Sequence, residues 1–187
     1  MNIILASKSP RRTELLNLIG IKHTIVPSTV EEIVKDNLTP KEIVEDLSFQ
    51  KAKDVANKYP NDLVIGADTI VVINNKILGK PKDYDDAYNM LSLLQGNSHE
   101  VITGVTIIKG DNIYTFSETA EVTFYPMSHE EIDEYINTKD VYDKAGSYAI
   151  QGICSRHIKE IKGDYNTIVG LPVSRIYQIL KEINKTK

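Results

Sequence analysis

Leu63-Val64-Ile65-Gly66-Ala67-Asp68-Thr69-Ile70-Val71-Val72-Ile73, followed by Asn74-Asn75 and Lys76-Ile77-Leu78, is the most informative run in the chain. Its β-branched, nearly uninterrupted apolar character predicts a strand buried on both faces, and Asn-Asn between two such runs suits a tight hairpin turn. Asp68 stands in the middle of it. An ionised carboxylate there is costly unless a metal or a cation meets it. Asp68 is therefore either a structural residue bonded to neighbouring backbone or a ligand or catalyst, and the run alone leaves both open.

Upstream, Ile3-Ile4-Leu5-Ala6 predicts a short buried strand, and Ser7-Lys8-Ser9-Pro10-Arg11-Arg12 turns into a helix running to about Ile19, stopped by Gly20. Ser9 suits the N-cap and Pro10 the first helical position. Arg11 and Arg12 fall in the first turn, where the helix dipole disfavours cations. An anion at this turn, with its hydroxyls and free N–H groups, would resolve the conflict. The plainer alternative is that both arginines are solvated or paired with Glu14. His23-Thr24-Ile25-Val26 alternates like a strand, and the loop after it carries Glu31 and Glu32, as an ordinary solvated face also would. Thr39-Pro40-Lys41-Glu42 has the form of a capping box. It opens a helix with Ile43, Val44, Leu47, Ala52, Val55 and Ala56 on one side, ending near Tyr59-Pro60, whose Lys51 and Lys53 are expected to be solvated.

Downstream, Gly79-Lys80-Pro81-Lys82 reads as an extended loop, since Pro81 excludes helix at Lys80. A helix follows, from Asp85 through Leu94 to Gly96. Val101 to Ile108, Ile113 to Phe116 and Thr119 to Phe124 predict adjacent antiparallel strands, so the sheet is mixed. Ser128-His129-Glu130-Glu131 is a second capping box. Asp143 to Gly152 is turn-rich and polar, fitting a pocket-lining loop as well as an ordinary connection. Ile153 to Ile161 predicts another strand, and Val173 to about Ile183 the last helix.

Composition narrows the function classes. With 22 Lys plus Arg against 26 Asp plus Glu in 187 residues, the net charge of -4 provides no basic field for nucleic acid or anionic membrane. Any anionic ligand must be met by local cations. The single Cys154 excludes an internal disulfide framework and has no metal-ligand spacing, which suits apolar packing. The opening Met1-Asn2-Ile3-Ile4-Leu5-Ala6 lacks a basic start, and no apolar run reaches membrane length, so a soluble cytoplasmic protein of one domain, with room for two lobes, is expected. No C-x-x-C, H-E-x-x-H, Walker A, G-x-S-x-G or Rossmann glycine pattern occurs. A basic strand-to-helix turn, a carboxylate in a central strand, further carboxylates at Glu31 and Glu32, and lysines at strand ends together match phosphoanhydride chemistry. Cations and a divalent metal would neutralise phosphates while a carboxylate handles water. Carboxylate oxygens suit Mg²⁺ or Mn²⁺ rather than zinc.

Six ordered motifs carry a more specific likeness: Ala6 to Arg12, Gly66-Ala67-Asp68-Thr69, Gly79-Lys80-Pro81, Thr103-Gly104-Val105, Asp143 to Gly152 and Val169-Gly170-Leu171-Pro172. Over nearly its whole length the chain resembles the Maf family of nucleoside triphosphate pyrophosphatases. The resemblance implies an α/β fold similar to inosine triphosphate pyrophosphatases: a mixed, elongated, twisted sheet flanked by helices, with two lobes around a cleft, and a homodimer. It implies Asp68 as proton acceptor, Glu32 as a catalytic and metal-associated carboxylate alongside Asp68, and Ser7, Arg11 and Arg12 as the phosphate-binding turn. Lys51 and Lys80 would lie near the triphosphate. Arg11, Thr69 and Gln151 match positions that mark the branch acting on dTTP and UTP, whereas the 7-methyl-GTP branch differs around Gln151. An amide there offers both a donor and an acceptor to a pyrimidine edge. Cys154-Ser155 departs from the small residues usual in the family at that point. The resemblance also carries a non-catalytic alternative, a nucleotide-binding regulator of cell division and septum formation. Asp68 together with the arginines and lysines argues against it.

Overall fold

The computed structural model describes residues 2–185; Met1 and residues 186–187, which the single-domain expectation includes, lie outside the described residues. Thirteen regular elements follow in order: β1 (Ile3–Leu5), α1 (Pro10–Leu18), β2 (Thr24–Ile25), α2 (Pro40–Lys58), β3 (Leu63–Ile73), β4 (Lys76–Leu78), α3 (Tyr84–Leu94), β5 (Ser98–Lys109), β6 (Asn112–Phe124), α4 (His129–Asn137), β7 (Ile158–Lys162), α5 (Tyr165–Val169) and α6 (Val173–Lys185). The strands form one seven-stranded sheet in the order β2-β1-β3-β5-β6-β7, with β4 paired to β3. It is mixed, as expected. β1 runs parallel to β2 and β3, whereas β4 is antiparallel to β3, and β7 to β6. Asn74 and Asn75, both at positive φ, make the predicted hairpin turn between β3 and β4.

The chain divides into two compact units, one holding the residues through Asp68 with 103–118 and those from Gly170 on, the other holding 69–102 and 119–169. In the first, Ile4, Ala6, Ala52, Val55, Val64 and Ile108 form a core cluster of side chains from β1 and the residue after it, α2, β3 and β5. Each fully buried Val, Ile or Leu contributes about 1.5–3 kcal/mol, so this patch seats α2 on the sheet. Two glycines permit the close seating. A Cβ on Gly66 would lie 2.5 Å from the Ser48 carbonyl oxygen, and one on Gly104 would lie 2.3 Å from that of Val44. A buried hydroxyl chain, Ser48 to Thr106 at 2.9 Å and Thr106 to Thr115 at 3.0 Å, satisfies the polar groups trapped beneath the helix.

In the second unit, His99, Phe124 and Tyr148 form a T-shaped cluster with ring centroids 4.9–5.4 Å apart. His99 Nε2 lies 2.7 Å from the Tyr148 hydroxyl. The Tyr135 hydroxyl accepts from the Ala149 amide at 3.1 Å and so holds the chain entering Gln151.

Several local expectations change. The two strands expected over Ile113–Phe116 and Thr119–Phe124 are one continuous strand, β6. The strand expected from Ile153 begins only at Ile158, because Ile153–His157 coils into a 3₁₀ turn that buries Cys154. Gly152, at φ 79°, turns the chain there, and the Ser155 hydroxyl donates back to its carbonyl at 2.7 Å. Ser9 occupies the N-cap of α1 without a side-chain cap bond. Its own amide donates instead to the Ser7 hydroxyl. Both capping boxes, at Thr39 and Ser128, form as predicted. α5 was not expected; Asp164 supports its start by accepting from the Asn166 amide and the Thr167 hydroxyl.

Candidate functional site

The carboxylate in the central strand meets a cation from the helix beneath it. Lys51 of α2 places its Nζ 2.6 Å from Asp68 Oδ1 and 3.1 Å from Glu32 Oε1. Lys51, expected from pattern alone to be solvated, has a side chain only 14% exposed, equal to that of Asp68. It borders the apolar stripe beside buried Ala52, at the point where Gly66 lets helix and strand approach. Lys53 is exposed. Glu32 arrives from a loop without helix or strand and remains 47% exposed, so its placement depends on whatever anchors that loop. Its neighbour Glu31 is exposed.

The β1–α1 turn adds positive charge from the same unit. Arg12 Nη1 donates to the Ser7 hydroxyl at 3.1 Å, and Arg12 Nε donates to the Gly170 carbonyl at 2.9 Å. Gly170 is at φ 121°, a conformation open to glycine that turns its carbonyl toward the guanidinium. Removal from water lowers the Arg12 pKa; Asp68 opposes the shift, Arg11 adds to it, and Glu32 opposes it again. An arginine stays protonated through such a shift. What the causes reveal is proximity: Arg12 senses both carboxylates. Ser7, Arg11, Arg12, Glu32, Lys51 and Asp68 all belong to the first unit, and Lys51 with Arg12 ties together all but Arg11 by direct bonds or electrostatic influence. Arg11 enters as the like charge beside Arg12.

Thr69, Lys80 and Gln151 belong to the second unit. There the Gly146 amide donates to the Gly79 carbonyl at 3.0 Å, fastening the loop that carries Lys80 to the turn Ala145–Ser147. Gly146 has φ 70°, and a Cβ on it would lie 3.0 Å from a Val71 methyl, so glycine is needed on both counts. Lys80 and Gln151 are exposed, and Thr69 is half-buried. Lys144 lies in the loop expected over Asp143 to Gly152. Its ammonium is 2.6 Å from both Asp140 and Asp143, with the side chain only 8% exposed. Both acids precede it, four residues and one residue away. Cys154 is buried and its thiol is pushed up to about 12, mainly by burial, which leaves it an inert packing group.

Among the described residues no cluster of three His, Cys, Asp or Glu side chains is arranged to hold a metal, and no helix is long and apolar enough to cross a membrane. Two carboxylates that share an ammonium with a guanidinium close by can, however, accept a proton from water and receive a phosphate-bound cation.

A family model described as Maf-like protein matches residues 2–183. Over 182 residues, 97% of its length, the chain is 51% identical to a Bacillus cereus (strain ATCC 10987 / NRS 248) protein named dTTP/UTP pyrophosphatase, covering 90% of that protein. It is 50% identical over 182 residues to a Bacillus velezensis protein of the same name, covering 97% of this chain and 96% of the other. Among solved structures, the Ham1 protein of Staphylococcus aureus matches 66% of this chain and 72% of its own, with a TM-score of 0.46 and 17% sequence identity.

Proposed function

The chain belongs to the Maf family, and from that premise we propose that it hydrolyses dTTP and UTP between the α and β phosphates, giving the nucleoside monophosphate and pyrophosphate. The observation that carries this reading is the pairing of Asp68 and Glu32 across Lys51 beside Arg12. The relatives named dTTP/UTP pyrophosphatase support the substrate.

In this reading Asp68 is the proton acceptor. A water oxygen attacks the α phosphorus, its proton passes to an Asp68 carboxylate oxygen, and the bond from the α phosphorus to the bridging oxygen breaks, with pyrophosphate leaving. Ser7, Arg11 and Arg12 at the start of α1 bind phosphate, as a hydroxyl, two guanidiniums and the N–H groups of a nine-residue helix can. Lys51 and Lys80 offset further phosphate charge. Lys51 also limits the repulsion that would arise where two carboxylates and a triphosphate converge. Arg11, Thr69 and Gln151 select the base, Gln151 through an amide that both donates and accepts.

Glu32 and Asp68 would hold a magnesium or manganese ion. Two carboxylates completed by phosphate oxygens and water are an ordinary donor set for such an ion, and it would supply charge neutralisation on the phosphates. The buried, unreactive Cys154 accords with a cytoplasmic setting, and the working assembly is a homodimer.

The test incubates the protein with Mg²⁺ or Mn²⁺ and, separately, dTTP, UTP, dCTP, ITP and 7-methyl-GTP, measuring pyrophosphate apart from orthophosphate. Pyrophosphate from dTTP and UTP is the expected product, abolished by a chelator and reduced at least about 10²-fold in Asp68→Asn. Pyrophosphate from 7-methyl-GTP alone would overturn the specificity assigned to Gln151. Near-normal turnover in Asp68→Asn would overturn the role of Asp68, and nucleotide binding without any product would favour a regulator.

A further inference from the structure

Glu32 is held in place by something other than hydrophobic burial. In its loop the side chains of Val30, Ile33 and Val34 are 38%, 65% and 58% exposed, so apolar contacts give the segment little purchase. The loop is instead stapled to α2 by polar groups four residues apart. Asp46, Gln50, Asp54 and Lys58 fall at every fourth position and so share one face of the helix. Asp54 Oδ2 accepts from the Ser28 hydroxyl at 2.9 Å and the Thr29 amide at 2.8 Å, and Lys58 donates to the Thr29 hydroxyl at 3.2 Å. Asp46 pairs with Lys35 on the far side.

Between these anchors Gln50 makes the most specific contact. Its Oε1 accepts from the Ile33 amide at 3.0 Å while its Nε2 donates to the Ile33 carbonyl at 2.8 Å. A single side chain thus occupies both backbone groups of one residue, as a neighbouring strand would. Nε2 also donates to Asp46 Oδ2 at 2.6 Å, which fixes the amide's orientation. Ile33 follows Glu32 directly, as Lys51 follows Gln50. The clamp on Ile33 therefore sets the distance at which the Glu32 carboxylate meets the Lys51 ammonium.

We propose that Gln50 is a positioning residue of the site: its two-point clamp on Ile33 holds Glu32 against Lys51. This rests on the role given to Glu32 above. Few other side chains could replace it. A Glu at position 50 would accept from the amide but not donate to the carbonyl, and it would face Asp46; an Asn is a methylene short.

The test compares Gln50→Ala and Gln50→Met, the second keeping the length of the side chain without either bond, with the unsubstituted protein in the background of Glu32 and of Glu32→Gln. Both variants are expected to lower kcat about tenfold and to raise the Mn²⁺ concentration needed for half-maximal rate by a similar factor, as loss of an outer support does, with the nucleotide KM little changed. In Glu32→Gln, whose residual turnover is read at high enzyme concentration, the further loss should shrink to less than about twofold, because coupled residues are not additive. Hydrogen exchange at the Ile33 amide should quicken in both variants without nucleotide or metal. Equal losses in the two backgrounds, or unchanged exchange at Ile33, would overturn the clamp. Normal turnover in Glu32→Gln together with faster exchange at Ile33 would instead overturn the role of Glu32.

Discussion

Replacing Gly66 by Ala tests the link between packing and the site. The added Cβ would stand 2.5 Å from the Ser48 carbonyl oxygen, 2.8 Å from the Ala52 amide nitrogen and 2.9 Å from the Ala52 Cβ. Carbon and oxygen approach no closer than about 3.3 Å without cost, so α2 must retreat from β3 by about 0.8 Å at this point. Two of the three obstructing atoms are backbone, so no rotamer change relieves the contact. Overpacking of this kind costs about 1–3 kcal/mol. The same retreat draws Lys51 away from Asp68, whose present 2.6 Å is at the short end of a charge-assisted bond. Urea unfolding followed by linear extrapolation measures the first effect, and pyrophosphate release at saturating nucleotide the second. Gly104→Ala, whose Cβ would lie 2.3 Å from the Val44 carbonyl oxygen, should be worse. Gly79→Ala meets nothing within 4 Å and should change stability by less than about 0.5 kcal/mol. If Gly66→Ala matched the parent in midpoint and slope, or if Gly79→Ala were the most damaging of the three, the account of why these glycines are there would be wrong.

Two further outcomes concern pH. The Asp54 carboxyl, held down to about 2 chiefly by its bond from Lys58 and then by the Thr29 amide, should titrate near that value by NMR and move up in Lys58→Met. Because its folded value is depressed, the anchoring it gives is complete above the ordinary carboxyl value and is lost as the pH falls toward 2. His99, 3% exposed, is lowered to about 4, mainly by burial. Its Nδ1 has no hydrogen-bond partner among the described residues, so the imidazolium would carry an Nδ1–H with no acceptor. Between its ordinary 6.5 and about 4 the unfolded chain binds a proton that the folded one refuses. Stability should therefore fall by about 1.4 kcal/mol per pH unit as the solution is acidified through that window. Urea unfolding of His99→Phe across the same window should lack that component, and an unchanged slope would refute it.

Local chemistry made much of this legible from sequence. The run Leu63–Ile73 announced β3 to the residue because its apolar side chains needed cover on both faces, and Asn74-Asn75 announced the turn because both positions tolerate positive φ. Thr39 and Ser128 announced their helices through capping boxes, which are spelled within four residues. What stayed hidden depended on distant partners. Nothing near Lys51 in sequence says that Asp68, 17 residues on, will meet it, so pattern placed it in solvent. Gln50 gave no signal in the sequence, because its target is a backbone, which leaves no trace in side-chain identity. Ile153 to His157 alternates as a strand does, but burying Cys154 and turning at Gly152 outweighed that local preference. Arg11 and Arg12 were flagged by the unfavourable charge at a helix start, yet that conflict could not name the Gly170 carbonyl, 158 residues from Arg12, as part of its resolution.

These facts converge on α2, which fixes the two carboxylates by separate means. Toward the sheet, its backbone at Val44, Ser48 and Ala52 lies against Gly66 and Gly104, and this contact sets where Asp68 stands relative to Lys51. Toward solvent, its row of Asp46, Gln50, Asp54 and Lys58 holds the loop, and this contact sets where Glu32 stands. The first contact is buried and backbone to backbone, so it is stiff, and a fault in it is felt first as lost stability. The second is exposed and made of hydrogen bonds each contributing only about 0.5–1.5 kcal/mol. A fault there leaves the fold standing and is felt first as misplacement of a single carboxylate. Lys51 lies where the two meet, one side chain bridging a rigid partner and an adjustable one. On the proposed mechanism, in which Asp68 takes the proton from water, keeping Asp68 on the stiff side and Glu32 on the side that can yield lets the site admit a bulky polyanion without displacing the proton acceptor.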